Sequence, residues 1–221
     1  MSAAHGEQVR ILEEHHVEEG RSVNWWGMIF FIASEALIFA NLIAAYLYLE
    51  IRGLQAGQPW VLPNGEALDF IYPLINTFIL LSSSGTAIIA MRGVKRGNWR
   101  WVAGWLTVTM VLGLIFLGGQ AYEYTNLFSQ GFTLSSAGIT KPLFNKAFGS
   151  AFFTLTGFHG LHVTVGIIFL LIVIIRTLRG HFNEKKHFAV EAVDMYWHFV
   201  DLVWVFVFST VYLLPLLMGG K

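Results

Sequence analysis

The 221-residue sequence contains no cysteine and few charged residues, and both shortages restrict what the protein can be. Without cysteine there is no disulfide framework, no thiolate metal site and no cysteine nucleophile. Only 13% of the residues are charged and 55% are hydrophobic, which is too apolar for one soluble core. The 14 basic residues balance the 14 acidic ones, so no basic surplus exists for binding nucleic acid. This composition indicates an integral membrane protein.

Several signals of processing and catalysis are also missing. Residues 1–22 form a mixed-charge tail without the basic start and short apolar run of a signal peptide, so no cleavage is expected. No glycine-rich phosphate loop is present, and no serine, histidine and aspartate arrangement lies in a loop. A transporter would be expected to show repeated halves or interrupted spans, and the sequence shows neither.

Five long apolar runs are present, each near or above the roughly 20 residues that cross a bilayer. Unpaired backbone is not tolerated in lipid and no alternating strand pattern occurs, so all five runs are predicted to be α-helices. The predicted fold is therefore all-α. The tail 1–22 precedes a single transmembrane domain over 23–218, with helices at about 23–49, 70–91, 99–122, 148–175 and 188–218.

The basic residues are unevenly divided between the two predicted sides of the membrane. Ten lie in the tail and in the second and fourth connections, and four lie on the other side. The positive-inside rule then predicts a cytoplasmic N-terminus and an external C-terminus.

The fourth and fifth runs carry ionisable residues at helical spacing. A charged group at bilayer depth costs roughly 2.5 to 3.5 kcal/mol on the mildest scale, so such groups normally face protein. Side chains three or four positions apart project from one helix face. This spacing predicts a polar intramembrane network of His159 and His162 in the fourth helix and of Glu191, Asp194, His198 and Asp201 in the fifth.

The first run contains a buried acid, Glu35, about 18 Å along the predicted helix and near the bilayer middle. It is expected either to be a neutral carboxylic acid or to pair with a polar neighbour such as His159 or His162. Proton exchange and contact with a lipid headgroup in a cleft are the functional alternatives.

The histidines also raise a metal hypothesis. Metal sites in helix bundles use Glu-x-x-His motifs or histidine pairs on facing helices. The chain offers only the weak pair His159-x-x-His162 and the single His198 opposite it. A hydrogen-bonded polar network is therefore the favoured interpretation, and no metal or haem ligand is assigned.

Four stretches of this sequence resemble a known family. They are FFTLTGFHGLHVTVG at 152–166, Glu191 followed by YWHFVDLVW at 196–204, and two shorter signatures, Ser34-Glu35 and QAYEY at 120–124. Together they closely resemble subunit III of the haem-copper terminal oxidases, in its five-span bacterial form. The resemblance extends over roughly residues 24–215.

The resemblance implies a non-redox subunit of a respiratory complex that reduces dioxygen and pumps protons. Haem and copper are then expected in subunits I and II, the partner chains, and phospholipid in a cleft of this one. A larger respiratory supercomplex is a further expected partner, and the bacterial plasma membrane the expected location. Glu35 matches the family's buried glutamate, assigned to the lipid cleft and its proton-linked environment. His159, His162, Glu191, His198 and Asp201 match its polar interior, and Glu123 lies in the QAYEY signature.

Seven-span relatives have two more N-terminal helices, which form one wall of the cleft. Here the cleft is expected to be open or to be walled by another subunit. Quinol oxidases and proteins associated with nitric oxide reductases have five-span relatives too. The resemblance therefore does not determine the electron donor, although cytochrome c is favoured. An autonomous metal-binding or proton-conducting protein is the remaining alternative.

Overall fold

A computed structural model describes residues 22–57, 68–134, 146–183 and 186–217 of the chain. Five long helices occupy these ranges: α1 (Val23–Gln55), α2 (Ile71–Val94), α3 (Trp99–Ser129), α4 (Lys146–Leu178) and α5 (Phe188–Phe208). A π-helical turn, Ser209–Leu213, and a short helix α6, Leu214–Leu217, extend α5. All five long segments are long and apolar enough to cross a membrane. The predicted all-α bundle with five spans is confirmed for the described part of the chain.

The helix ends follow from local sequence. Ser22 and Asn98 precede α1 and α3, and the side-chain oxygen of each accepts a hydrogen bond from the backbone N–H three residues later. The turn between α2 and α3 contains Gly97 with φ of 64°, a conformation that glycine adopts without a Cβ penalty. Pro215 lacks an N–H, which accounts for the loss of regular α-helical bonding just before it.

Helices α1 and α3 continue furthest beyond the predicted apolar spans. α1 ends at residue 55 instead of 49 and α3 at 129 instead of 122, because a helical backbone does not have to end where the hydrocarbon ends. The predicted tail 1–22 lies outside the described residues except for Ser22, as does the last predicted position, 218. The orientation in the membrane stays a prediction.

Helices α2, α3, α4 and α5 form a closed ring in which each packs on the next and α5 returns to α2. Trp197 of α5 lies in the middle of this ring, fully buried. Its indole faces Gly113 of α3 and Gly166 of α4, and its Nε1 donates to Ser83 Oγ of α2 at 2.9 Å. The two glycines leave the space that the indole fills, so one side chain fixes four helices.

Helix α1 lies outside this ring, against α4 and α5. Only four of its 33 residues are buried: Phe39, Tyr46, Glu50 and Gly53. The first helix is therefore the least enclosed of the five long helices described. Its polar contacts are expected to contribute a larger share of its attachment to the bundle than such contacts do for the other helices.

Candidate functional site

The contact between α1 and α4 is centred on Glu35 and His162. Glu35 Oε2 lies 2.9 Å from His162 Nε2, and the two side chains are 19% and 11% exposed. Phe39 and Phe158 pack edge-on against the His162 ring, with ring centroids 4.9 Å and 4.7 Å away. An ionisable pair in this apolar surrounding is stabilised by its mutual contact.

The second nitrogen of His162 determines how protons are arranged in this pair. Nδ1 lies 2.9 Å from the backbone oxygen of Phe158, which can only accept a hydrogen bond, so Nδ1 carries a proton. A hydrogen bond between Nε2 and Glu35 Oε2 requires one further proton, which belongs either to a neutral acid that donates to imidazole or to an imidazolium that donates to carboxylate. Both arrangements keep the same heavy-atom distance.

His159, one turn before His162, lies in a different environment. It is completely buried, and neither ring nitrogen has a hydrogen-bond partner among the described residues. Its ring packs against Trp204 at 4.8 Å and edge-on against Phe116 at 5.9 Å. The structure therefore does not bring His159 into hydrogen-bond contact with the other predicted network residues.

A second polar cluster joins α5 to α2. His198 Nδ1 lies 3.0 Å from Ser84 Oγ, and Ser84 Oγ donates to Asp201 Oδ2. On the other side of the imidazole, His198 Nε2 lies 3.5 Å from Asp194 Oδ1. Because the Ser84 hydroxyl has one proton and gives it to Asp201, His198 must donate from Nδ1. Asp194, His198, Ser84 and Asp201 form a continuous polar chain along the α2–α5 contact.

The two remaining predicted residues lie apart from both clusters. Glu191 Oε1 is 3.1 Å from His187 Nε2 at the start of α5, where the acid side chain is 41% exposed. Glu123 of α3 accepts a hydrogen bond of 2.8 Å from the Tyr212 hydroxyl in the π-helical turn. The predicted set is thus divided among five places: the α1–α4 pair, the buried site of His159, the α2–α5 cluster, the start of α5 and the α3–π-turn contact.

Some polar contacts were not predicted from the sequence. Ser83 and Ser84 are not among the predicted network residues, yet they hydrogen-bond to Trp197, His198 and Asp201. Glu50 of α1 is buried but was not selected. For the two serines the available signal was a polar side chain within a predicted membrane-spanning run, which is costly unless it is paired. Glu50 lies one residue past the predicted run 23–49, so it carried no such signal.

No three of the histidine, aspartate and glutamate side chains in the described ranges are grouped closely enough to hold a metal ion. The assignment of no metal or haem ligand to this chain stays a prediction, as does the role of each predicted site residue.

Two apolar cavities lie on either side of the Glu35 position along α1. One, of about 550 Å³, lies between α1 and α5 and includes Ile32, Ala36 and Phe39 in its lining. The other, of about 440 Å³, lies among α1, α4 and α5, and Met28, Phe31 and Arg176 are among its lining residues. Both have the apolar lining that a hydrocarbon chain prefers.

The sequence was compared with protein families of known type. A family model described as "Cytochrome c oxidase subunit III" matches residues 8–215 of the 221. The chain belongs to the cytochrome c oxidase subunit III family. The family predicted from the four quoted stretches is confirmed, since all of them lie inside the matched region.

Individual members of the subunit III family are similar over most of the chain. "Cytochrome c oxidase subunit 3" of Thermostichus vulcanus is 38% identical over 200 residues, which cover 90% of this chain and 91% of that one. The protein of the same name from Corynebacterium diphtheriae is 38% identical, covering 84% and 85%. That of Anopheles gambiae is 40% identical, covering 85% of this chain and 68% of its own length. Bacterial and insect subunit III proteins therefore both align with the described bundle.

We expect Ser83→Ala to destabilise this subunit III fold by about 1 to 2 kcal/mol, because the buried Trp197 Nε1 loses its acceptor. The measurement is thermal unfolding of the detergent-solubilised protein. Ser82→Ala is the matched control, since Ser82 is exposed and its hydroxyl bonds only to the backbone of its own helix; its effect should stay within about 0.5 kcal/mol. Equal losses for the two variants would contradict the assigned bond.

Proposed function

We propose that the chain is the non-redox subunit III of a cytochrome c oxidase in a bacterial plasma membrane, where it holds phospholipid and supports proton uptake, assembly and lifetime of the enzyme. Family membership carries the first part of this proposal: the match extends over residues 8–215 and the relatives are named cytochrome c oxidase subunit 3. The chain is accordingly part of an oxidoreductase complex.

We place the haem and copper centres in subunits I and II. Two observations on this chain support that placement. It has no cysteine for a thiolate-bridged copper site, and its described histidines lie in separate contacts instead of facing one another. Haem and copper chemistry, when those groups are bound in the partner subunits, transfers electrons to dioxygen. This chain supplies helices, lipid contacts and ionisable pairs beside them.

Phospholipid is the ligand that the cavities around Glu35 support. Arg176 lines the 440 Å³ cavity near the end of α4, and its guanidinium lies 5.3 Å from the centroid of the Phe182 ring. A cation that lines an otherwise apolar cavity matches a phosphate headgroup joined to acyl chains. Glu35 and His162 lie deeper, at the level of the chains, where the pair can exchange a proton.

We expect Arg176→Ala to lower the amount of anionic phospholipid that remains bound to the purified complex by about fivefold, corresponding to about 1 kcal/mol for one cation near the headgroup. The measurement is quantitative lipid mass spectrometry after gentle detergent purification. Arg179→Ala is the control, because Arg179 is also exposed at the end of α4 but does not line the cavity. Equal lipid loss in both variants would contradict a site at Arg176.

The proposed function is tested by purifying the complex through a tag on this chain and recording a reduced-minus-oxidised visible spectrum. We expect haem absorbance to arrive with two larger subunits and to leave when these are stripped away. A chain that arrives alone and retains colour or metal would support the alternative of an autonomous metal-binding protein. Comparing cytochrome c with quinol as electron donor to the same sample distinguishes a cytochrome c oxidase from a quinol oxidase or a nitric-oxide-reductase relative.

A further inference from the structure

Helix α5 carries ionisable residues from one end of the membrane span towards its interior. With the π-helical turn and α6 it extends over 30 residues, or about 45 Å, which exceeds the roughly 30 Å of a hydrocarbon core. Glu191, in the first turn of α5, is therefore placed at the level of the headgroups, and its side chain is 41% exposed. Asp201 lies about 15 Å further along the helix and is only 3% exposed. A carboxyl group at that depth is costly, and in membrane proteins such groups often mark a path for protons.

Three side chains connect the exposed acid with the buried one. Asp194 follows Glu191 by three positions and so projects from the same face. Its Oδ1 lies 3.5 Å from His198 Nε2, a separation that a small rotation of the carboxyl group reduces to a hydrogen bond. His198 Nδ1 donates to Ser84 Oγ at 3.0 Å, and Ser84 Oγ donates to Asp201 Oδ2. Each of these three side chains can accept one proton while it releases another.

We propose that Asp194, His198 and Ser84 form a proton relay and that Asp201, at its end, is a site where the chain stores one proton. The inference deepens the proposed support of proton uptake and rests on it for its purpose, since a proton held at Asp201 is available inside the complex during turnover. Series of acid and histidine side chains are the means by which many membrane proteins move protons through hydrocarbon.

The hydrogen bonds are oriented for transfer towards Asp201. A proton that Asp194 takes from water passes from Oδ1 to His198 Nε2, which has the free lone pair because Nδ1 already carries a proton. The Nδ1–H bond then breaks as a new O–H bond forms on Ser84, and the original Ser84 proton moves to Asp201 Oδ2. Every group gains one proton and loses one, except Asp201, which becomes a neutral acid. His198 ends as the neutral tautomer with its proton on Nε2, and unloading reverses each step.

The arrangement is suited to storage and not to continuous conduction. Asp201 Oδ1 is buried and has no hydrogen-bond partner among the described residues, so no onward acceptor follows it there. Helix α2 offers no ionisable side chain between positions 72 and 92. In the middle of α1 and α4, which also pack on α5, Glu35 and His162 are bonded to each other, and His159 lies against aromatic rings.

The first test measures protonation of Asp201 by infrared spectroscopy of the purified complex during a pH titration. A protonated carboxyl group has a C=O stretching band that a carboxylate lacks, and we expect one such band to disappear in Asp201→Asn. Glu191→Gln is the control, because it removes the exposed acid and should keep the band of Asp201. A titration in which the wild type and Asp201→Asn show the same carboxyl bands overturns the proposal, since Asp201 then stores no proton.

The second test measures how fast the Asp201 band responds to a pH jump. His198→Gln keeps a hydrogen-bonding group beside Ser84 but cannot carry a proton, so it should slow both loading and unloading by about tenfold or more. A purely structural hydrogen bond predicts wild-type rates in this variant. Such rates would overturn the relay.

Ser84 supplies an independent measurement in case His198→Gln does not fold. Ser84→Ala should slow loading and unloading by a similar factor, and Ser84→Thr, which keeps the hydroxyl group, should restore most of both rates. Loss of a structural hydrogen bond alone would instead change the ratio of the two rates. Ser82→Ala is the matched control, since the Ser82 hydroxyl bonds only to the backbone of its own helix. A response of Ser84→Ala as fast as that of Ser82→Ala contradicts the relay.

These measurements separate the relay from the proposed function. The infrared bands report on this chain and require no haem. If the tagged chain brings no haem-containing subunits, the proposed function fails while the response of the Asp201 band is still measurable. If those subunits arrive and the Asp201 band is absent, or its rate is the same in every variant, only the relay and the storage site are wrong.

Discussion

Glu35→Ala is expected to leave the haem spectrum of the assembled oxidase unchanged, to lower the stability of the complex and to shorten its activity during turnover. The substitution removes the partner of His162 Nε2, now 2.9 Å away in a largely apolar site. Leaving a buried hydrogen-bonding group unpaired costs about 1 to 3 kcal/mol. Because α1 has few other buried contacts, this loss should act first on its attachment to α4.

The measurements are the visible spectrum, the thermal midpoint of the solubilised complex and the decay of oxygen consumption with time. Glu35→Gln separates the two possible roles of the side chain. It keeps a hydrogen bond to His162 but cannot share a proton, so a purely structural role predicts recovery of both stability and lifetime. A proton-linked role predicts recovery of stability alone. Loss of the haem spectrum in Glu35→Ala, with the large subunits still assembled, would contradict a non-redox subunit.

Ser34→Ala is the neighbouring control for this prediction. Ser34 is exposed, and its hydroxyl donates to the backbone oxygen of Phe31 in the same helix. No contact between helices is lost, so the thermal midpoint and the decay of activity should stay close to those of the wild type.

Gly113→Ala is the second prediction with a large effect, a destabilisation of about 1 to 3 kcal/mol from overpacking. A Cβ at Gly113 would lie 2.5 Å from Cη2 and 3.0 Å from Cζ2 of Trp197. The indole has little room to move away, because Gly166 of α4 is close on another side and its Nε1 is bonded to Ser83. The measurement is the thermal midpoint of the solubilised protein.

Gly104→Ala in the same helix is the matched control, since nothing lies within 4 Å of its Cβ position. Alanine has the higher helix propensity, so this change should be neutral or stabilising by up to about 1 kcal/mol. Equal destabilisation of both variants would mean that the loss reflects helix α3 in general and not the contact with Trp197.

Much of the fold could be predicted because the bilayer restricts the backbone. Long apolar runs in lipid must be helices, and five such runs gave the five spans of the described residues. The same reasoning marked Glu35, His162, His198 and Asp201 as residues that need partners, since polar groups at membrane depth are costly.

The partners themselves could not be predicted in the same way. His159 and His162 are three positions apart and share a helix face by spacing, and both were candidates for Glu35. In the structure His162 meets Glu35, while His159 lies against Trp204 and Phe116 and has no hydrogen bond to any residue that the structure describes. Which of two such side chains bonds to α1 depends on the rotation of α4 about its own axis. Helical spacing within the sequence does not specify that rotation.

Ser84 is a second example of a contact that the sequence could not predict. Ser84 is not among the predicted network residues, yet it joins His198 to Asp201 from a position more than one hundred residues earlier in the chain. Spacing within α5 placed His198 and Asp201 on one face, but it does not indicate which helix packs against that face.

The sequence by itself determined that this protein is a five-helix membrane protein of the subunit III family and that certain ionisable side chains need partners. Those properties follow from composition, run length and motif, which are local. Only the tertiary structure decided which residues meet: Glu35 with His162, Ser84 with His198 and Asp201, and Trp197 with two glycines on separate helices. The physical reason is that the rotation and approach of each helix are set by packing among all five, with Trp197 held at the centre of the ring.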